Sequence, residues 1–268
     1  MASIDQLARV ADGADLAEDV VVGPFCVVGP DVKLGPGVKL HSHVNISGAT
    51  TIGARTEVFP FASLGTPPQS VHYKGERTEL VIGADCVIRE HATANIGTAS
   101  GRGVTRIGDG CMMMVGSHVG HDCIVGNHVI FANNATLGGH VEVGDHVFLG
   151  GLCAVHQFTR IGAQAMISGI TGVREDVIPF GYALGQAARL VGLNTIGMKR
   201  RGFTRTDLHA ARAAYRDLFF GEGVFEERLA KLRAQMETSE FARAIVTFVD
   251  AGEKRPLCRP SRGVIAED

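Results

Sequence analysis

Stepping by six from Ile4 meets an aliphatic side chain at every stop: Val10, Leu16, Val22, Val28, Leu34, Leu40, Ile46, Ile52, Val58 and Leu64. The frame breaks at "GTPPQSVHYKGERTEL", resumes at Ile82, Ile88 and Ala94, breaks again at "GTASGRGVT", and then holds from Ile107 to Val173. A second slot, four residues after each stop, holds small or β-branched residues such as Cys26, Val38, Thr56, Ala62, Cys123 and Cys153. Five of the six cysteines sit in it, as small core fillers rather than disulfide partners or zinc ligands.

A period of six fits neither a helix nor a simple hairpin. It fits a short strand and a turn repeated until the coil closes, because one such unit cannot bury its aliphatic residue alone. Three units make a triangular coil of about 18 residues, with coils stacked at roughly 4.8 Å as three parallel sheets. The two breaks become loops thrown out from a prism, the usual place for ligand contacts. After Val173 the pattern turns helical. "AARLVGLNTIGMKRRGF" reads as a helix and turn, and "RTDLHAARAAYRDLFF" as a helix capped by Thr204 or Thr206. "VFEERLAKLRAQM" and "SEFARAIVTFVDAG" read as two more amphipathic helices. The predicted organisation is a mainly β prism over 1–180, with loops at 65–80 and 97–106, and a helical domain over 181–268 covering its open end.

Composition narrows the class. With 35 glycines, 6% aromatics and no tryptophan, turns and small side chains dominate. A net charge of −2 gives no global field for nucleic acid. There is no apolar run of the roughly 20 residues that cross a bilayer. The start of the chain has no basic-then-apolar leader, so a cytoplasmic protein is predicted.

The candidate chemistry lies in "GSHVGHDCIVGNH", residues 116–128. Residues one coil apart in sequence occupy the same slot of adjacent coils. His121, Asp122, Gly139, His140, His156 and Gln157 therefore fall on one edge, facing out, with His118 nearby. His41, His43, His128 and His146 lack such company and read as turn residues. Three readings of the cluster compete. His118, His121 and His140 could bind zinc with an open position. One neutral imidazole could take a proton from a hydroxyl while a carboxylate orients it. Or all are ordinary corner residues.

"HVGHDCIVGNHVIFANNATLGGHVEVGD", "GGLCAVHQF" and "MKRRGF" resemble the UDP-N-acetylglucosamine O-acyltransferases, hexapeptide-repeat enzymes that begin lipid A synthesis. The resemblance spans nearly the whole chain. It implies a left-handed parallel β-helix, a handedness that ordinary crossovers would not suggest, assembled as a homotrimer. It implies transfer of a 3-hydroxyacyl group from acyl carrier protein to the sugar 3-position, with no cofactor or metal. His121 then matches the general base, Asp122 its partner carboxylate, and Gly139 the backbone N–H that holds the oxyanion. His118, His140, His156 and Gln157 match substrate-holding positions. Asn194, Arg200 and Arg201 match positions that meet the nucleotide and the acidic carrier protein. Gly169 matches the position that limits acyl length; glycine there implies a chain on the order of twelve to fourteen carbons rather than ten.

The first loop departs from the family's Gln-Asp-x-Lys: here it reads Gln69-Ser70-Val71-His72. The missing carboxylate would favour protonation of a 3-amino group, and an ammonium cannot attack. Serine therefore points to the 3-amino analogue of UDP-N-acetylglucosamine as the acceptor, giving an amide. Asn95 stands where the family often has histidine, and Ile196 where it often has glutamate. Two alternatives remain at this point. The later-pathway UDP-acylglucosamine N-acyltransferase shares the repeat, but normally carries an N-terminal domain before it. The trimeric β-helix carbonic anhydrases bind metal with three histidines between subunits.

Overall fold

The computed structural model describes residues 1–252 and 255–261. Twenty-six short parallel strands, from Ser3–Ile4 to Gly172–Val173, wind through three sheets in rotation. The sheets, called first, second and third in the order that Ser3–Ile4, Arg9–Val10 and Asp15–Leu16 enter them, hold eleven, nine and eight strands. Coil stacks on coil in strict register: His118 pairs with Thr136 and Val119 with Leu137. Ile124 pairs with Glu142 and Val125 with Val143.

The six-residue pattern explains each coil. Apart from the first turns, where Ile4 is 47% exposed at the open end, the aliphatic stops are buried, and the small slot is buried at every corner. The cysteines in that slot also bond across coils. Cys86, Cys111 and Cys123 Sγ donate to the carbonyls of Gly108, Gly126 and Gly138 at 3.1–3.2 Å. At most corners the residue just before the small slot sits in the left-handed region: among the described residues sixteen non-glycine ones, including Asp122, His128, His140, His146 and Phe158, have φ between 55° and 65°. Half of them are His, Asp or Asn, the non-glycine types that tolerate this conformation best. This turn requirement accounts for His43, His128 and His146.

Residues 181–193 are not helical. Gly181–Leu184 and Arg189–Leu193 form an antiparallel hairpin on the end of the first sheet. The alternating "RLVGL" puts Leu190 in the core, and strand pairing wins over helix propensity. Helices start later: α1 (Thr195–Arg200), α2 (Arg205–Phe220), α3 (Phe225–Arg233) and α4 (Glu240–Asp250). Thr204 caps α2 in a capping box with Asp207, and Ser239 caps α4. Arg160 fastens α4 to the third sheet. It ion-pairs with Asp176, donates to Phe248 O at 2.9 Å, and stacks on the Phe248 ring. The two loops span 67–78 and 96–103, slightly narrower than expected.

Candidate active site

Both loops leave the prism between the second and third sheets, as does the corner carrying His121. Gln69, Ser70, His72, Asn95, His121, Asp122, Gly139, His140, His156 and Gln157 thus belong to five consecutive coils of one edge, with His118 on the adjoining strand.

His121 and Asp122 form the centre. Nδ1 of His121 lies 2.8 Å from Asp122 Oδ2. A carboxylate only accepts, so Nδ1 carries a proton, and it is the tautomer with Nε2 unprotonated that this contact selects for the neutral ring. The imidazole is 17% exposed and the carboxylate fully buried. Asp122 was expected to face outward. Instead the second loop closes over it: Thr98 Oγ1 donates to Oδ2 at 2.6 Å, Thr98 N reaches both oxygens at 3.1 Å, and Arg102 N reaches Oδ1 at 2.8 Å. Burial alone would push this carboxyl up, but the bonds from Thr98, His121 and Arg102 outweigh it and hold it below the usual range.

The space beside Nε2 belongs to Gly139. A Cβ built there would sit 2.6 Å from both Cε1 and Nε2 of His121. The Gly139 N–H donates to no protein carbonyl among the described residues. On the edge between the third and first sheets, the same corner slot is capped by the next coil: Asp109 N donates to Asn127 Oδ1 at 2.9 Å, and Asn127 N to Asp145 Oδ1 at 2.7 Å. At Gly139 the N–H, like that at other corners of the prism, has no such cap among the described residues, and the Gly139 α-carbon faces the His121 ring.

Burial disfavours the charged form of two neighbouring histidines, His118 and His140. Burial, helped by His121, pushes His118 down, and its Nδ1 lies 2.8 Å from Thr93 Oγ1. Burial also pushes His140 down against the pull of Asp122. His140 stacks on Phe158 with centroids 4.3 Å apart. His156 and Gln157 are tied to the tail, where Arg255 donates to Gln157 O at 2.8 Å and to His156 Nδ1 at 3.0 Å. Ser70 accepts from His72 N at 3.3 Å, and Asn95 pins the first loop by donating to Thr66 Oγ1 at 2.9 Å.

Two parts of the expected site lie elsewhere on the chain. Asn194, Ile196, Arg200 and Arg201 line a cavity of about 630 Å³ on the edge between the third and first sheets, with His128 and His146. These two histidines were expected to stand alone, yet they stack with centroids 4.9 Å apart. Asn194 caps α1 and donates to Gln164 O at 2.9 Å. Burial pushes the Arg201 guanidinium below its usual value; Nε donates to Gln164 Oε1, and Nη2 is buried without a partner among the described residues. Gly169 lies exposed on the remaining edge, in the corner that follows Ile167 of the first sheet.

A metal could be held only by His121, Asp122 and His140 among the described residues; their ligand atoms lie within 4.8 Å. That set differs from the expected His118, His121 and His140. Its carboxylate already accepts from Thr98, Arg102 and His121, so it fits an orienting group better than a ligand.

Sequence reasoning missed Thr98, Arg102, Thr105 and Arg255. The signal for the first three was the break in the six-residue frame beside the histidine coil. Arg255 had none.

A repeat prism with a histidine–aspartate dyad at its corner defines a hexapeptide transferase, and residues 13–48 and 105–139 match the family described as bacterial transferase hexapeptide (six repeats). Residues 176–258 match the family described as UDP N-acetylglucosamine O-acyltransferase, domain 2. The chain is 73% identical over 268 residues to the acyl-[acyl-carrier-protein]–UDP-N-acetylglucosamine O-acyltransferase of Azorhizobium caulinodans, covering 100% of this chain and 99% of that one. It is 48% identical over 262 residues to that of Rhizobium johnstonii, covering 98% and 96%. The solved UDP-N-acetylglucosamine O-acyltransferase of Moraxella catarrhalis superposes with a TM-score of 0.92 at 36% identity, covering 96% of this chain and 99% of that one. The chain belongs to the UDP-N-acetylglucosamine O-acyltransferase family, and its β-helix is left-handed.

Proposed function

We propose that this protein transfers a 3-hydroxyacyl group from acyl carrier protein to the 3-position of UDP-N-acetylglucosamine, the first step of lipid A biosynthesis. The observation that carries the mechanism is the His121–Asp122 dyad with Nε2 facing the bare α-carbon of Gly139. Nε2 takes the proton of the sugar hydroxyl as its oxygen attacks the thioester carbonyl. The tetrahedral oxyanion accepts from Gly139 N–H. The C–S bond then breaks, and the imidazolium gives its proton to the departing thiolate of the carrier, leaving a thiol. Asp122 holds the tautomer and stabilises the imidazolium. In this reading His118, His140, His156 and Gln157 hold substrate.

A homotrimer belongs to this reading. The dyad, the Arg200–Arg201 cavity and Gly169 occupy three different edges of one prism, so a ligand meeting more than one set needs a second chain. Exposed Lys199 and Arg200 suit an acidic carrier, and Arg201 Nη2, unpartnered among the described residues, suits a phosphate. Among the described residues no helix is long and apolar enough to cross a membrane, which is compatible with a cytoplasmic enzyme.

Acyl transfer by His121→Ala tests the proposal, with and without a chelator. Loss of transfer in the variant, and no chelator effect on the wild type, is expected. An active His121→Ala protein, or activity abolished by the chelator, overturns it. Ser70 supports a further reading, use of a 3-amino sugar. Parallel assays with both acceptors decide it, and exclusive use of the hydroxy sugar removes it.

A further inference from the structure

Of the polar corner residues in the left-handed conformation, Asp122 alone is buried among the described residues. What buries it is the second loop, an insertion in the coil directly beside it. The loop is built around the carboxylate. Thr98 closes it internally by accepting from Gly101 N and Gly103 N at 3.1 and 3.0 Å. Gly101 comes so close that a Cβ there would lie 2.5 Å from the Asp122 carboxylate, so only glycine lets the loop shut. From the other side, Asp122 N donates to Thr105 Oγ1 at 2.8 Å. Arg102 adds a cross-brace, donating from Nη1 to Asp122 O at 2.9 Å and ion-pairing with Glu142 one coil further on. The base of the first loop is buckled to the second through Thr78 Oγ1, which donates to Gly97 O at 2.6 Å.

We infer that Thr98 is a positioning residue for acyl transfer, whose hydroxyl and amide lock the Asp122 carboxylate so that Oδ2 fixes the His121 ring. This rests on the proposed role of His121 as base. The critical detail is a shared atom: Oδ2 accepts from Thr98 Oγ1 at 2.6 Å and from His121 Nδ1 at 2.8 Å. Thr98 touches neither the proposed substrate position nor His121. Removing its hydroxyl leaves one lone pair of a buried carboxylate unsatisfied. The group then turns toward another donor and carries the imidazole with it. A catalytic group displaced by about 1 Å can lose on the order of a hundredfold in rate.

The test compares wild type, Thr98→Val, Thr98→Ser and His121→Ala, assayed below each protein's melting temperature. Thr98→Val should lose about ten- to a hundredfold in kcat with the KM for both substrates unchanged. Thr98→Ser, which restores the hydroxyl, should recover most of it. Wild-type kcat in Thr98→Val, a loss confined to KM, or Thr98→Ser as poor as Thr98→Val would overturn the inference. Should Thr98→Val fold poorly, Thr98→Ala replaces it under the same criteria. The two readings fail separately. An active His121→Ala protein removes the base, whereas an inactive one beside a fully active Thr98→Val removes only the clamp.

Discussion

Gly139→Ala is the sharpest perturbation of the proposed chemistry, because one methyl group acts at one atom. Its carbon would lie 2.6 Å from His121 Nε2 and Cε1, where ordinary contact begins at 3.4 Å. Something must give by most of an ångström. The imidazole cannot retreat freely, since Nδ1 is tied to Asp122 and its ring packs edge-on against His140 with centroids 5.0 Å apart. Even a small retreat leaves the methyl in the shell of about 2.6–3.2 Å around Nε2 that the acceptor hydroxyl must occupy. Base catalysis is worth about 10² to 10⁴ in rate, or roughly 2.7–5.4 kcal/mol at 1.36 kcal/mol per decade. The expected loss in kcat is therefore at least about a hundredfold. Initial-rate assays with saturating acyl carrier protein and nucleotide sugar measure it. A thermal melt should show a folded protein, since Gly139 does not sit at positive φ. Activity within about fivefold of wild type, in a protein that melts normally, would mean that Nε2 does not face the acceptor and would refute the reasoning.

The buried carboxylate also ties stability to pH. The folded-state value of Asp122 lies below its unfolded value of about 3.9. Its ionised form therefore stabilises the fold above that unfolded value, and the contribution disappears as pH falls through the lower folded one. Urea melts between neutral and acid pH should show wild type losing its advantage over Asp122→Asn in that window; a constant gap would contradict it. Burial pushes the thiols of Cys123, Cys153 and Cys258 up to about 12, and all six cysteines are buried and unpaired. A thiol reagent should label almost nothing in the native protein and six groups after denaturation; fast native labelling of several would refute their role as core fillers. Arg160→Ala leaves Asp176 buried without its ion pair and releases α4, so a loss of about 3–5 kcal/mol is expected in denaturant melts. A change under about 1 kcal/mol would show that the tail docks by other means.

Most of the β-helix was legible because the repeat is a linear ruler. Its period fixes which residues stack, so the grouping of His121, Asp122, Gly139, His140, His156 and Gln157 follows from counting alone. The same ruler held the His128–His146 stack, one coil apart, but their significance depended on Arg200 and Arg201 folding back from α1. Where the ruler stops, legibility stops. The hairpin at 181–193 lost to a helical reading because alternation over five residues is a weak signal beside good helix formers. The burial of Asp122 could not be read from its slot. Every corner residue of that type would face outward, and only the loop thrown across this one turns it inward.

That corner conformation is also what allows a catalytic pair from sequence neighbours. In an extended strand, adjacent side chains point to opposite faces, and a histidine and aspartate side by side could not meet. Between the second and third sheets the chain turns instead, with Asp122 at φ 59°. The turn brings both side chains onto one side, close enough for a 2.8 Å bond between residues one apart. A left-handed residue other than glycine is disfavoured by about 1–2 kcal/mol, and aspartate tolerates it better than most. At some other corners stacking offsets that strain, as in His140 on Phe158 and His128 on His146. At Asp122 it is offset by the donors on the carboxylate. The repeat supplies the turn, the turn supplies the pairing, and the inserted loop makes one such corner differ from those stacked above and below it.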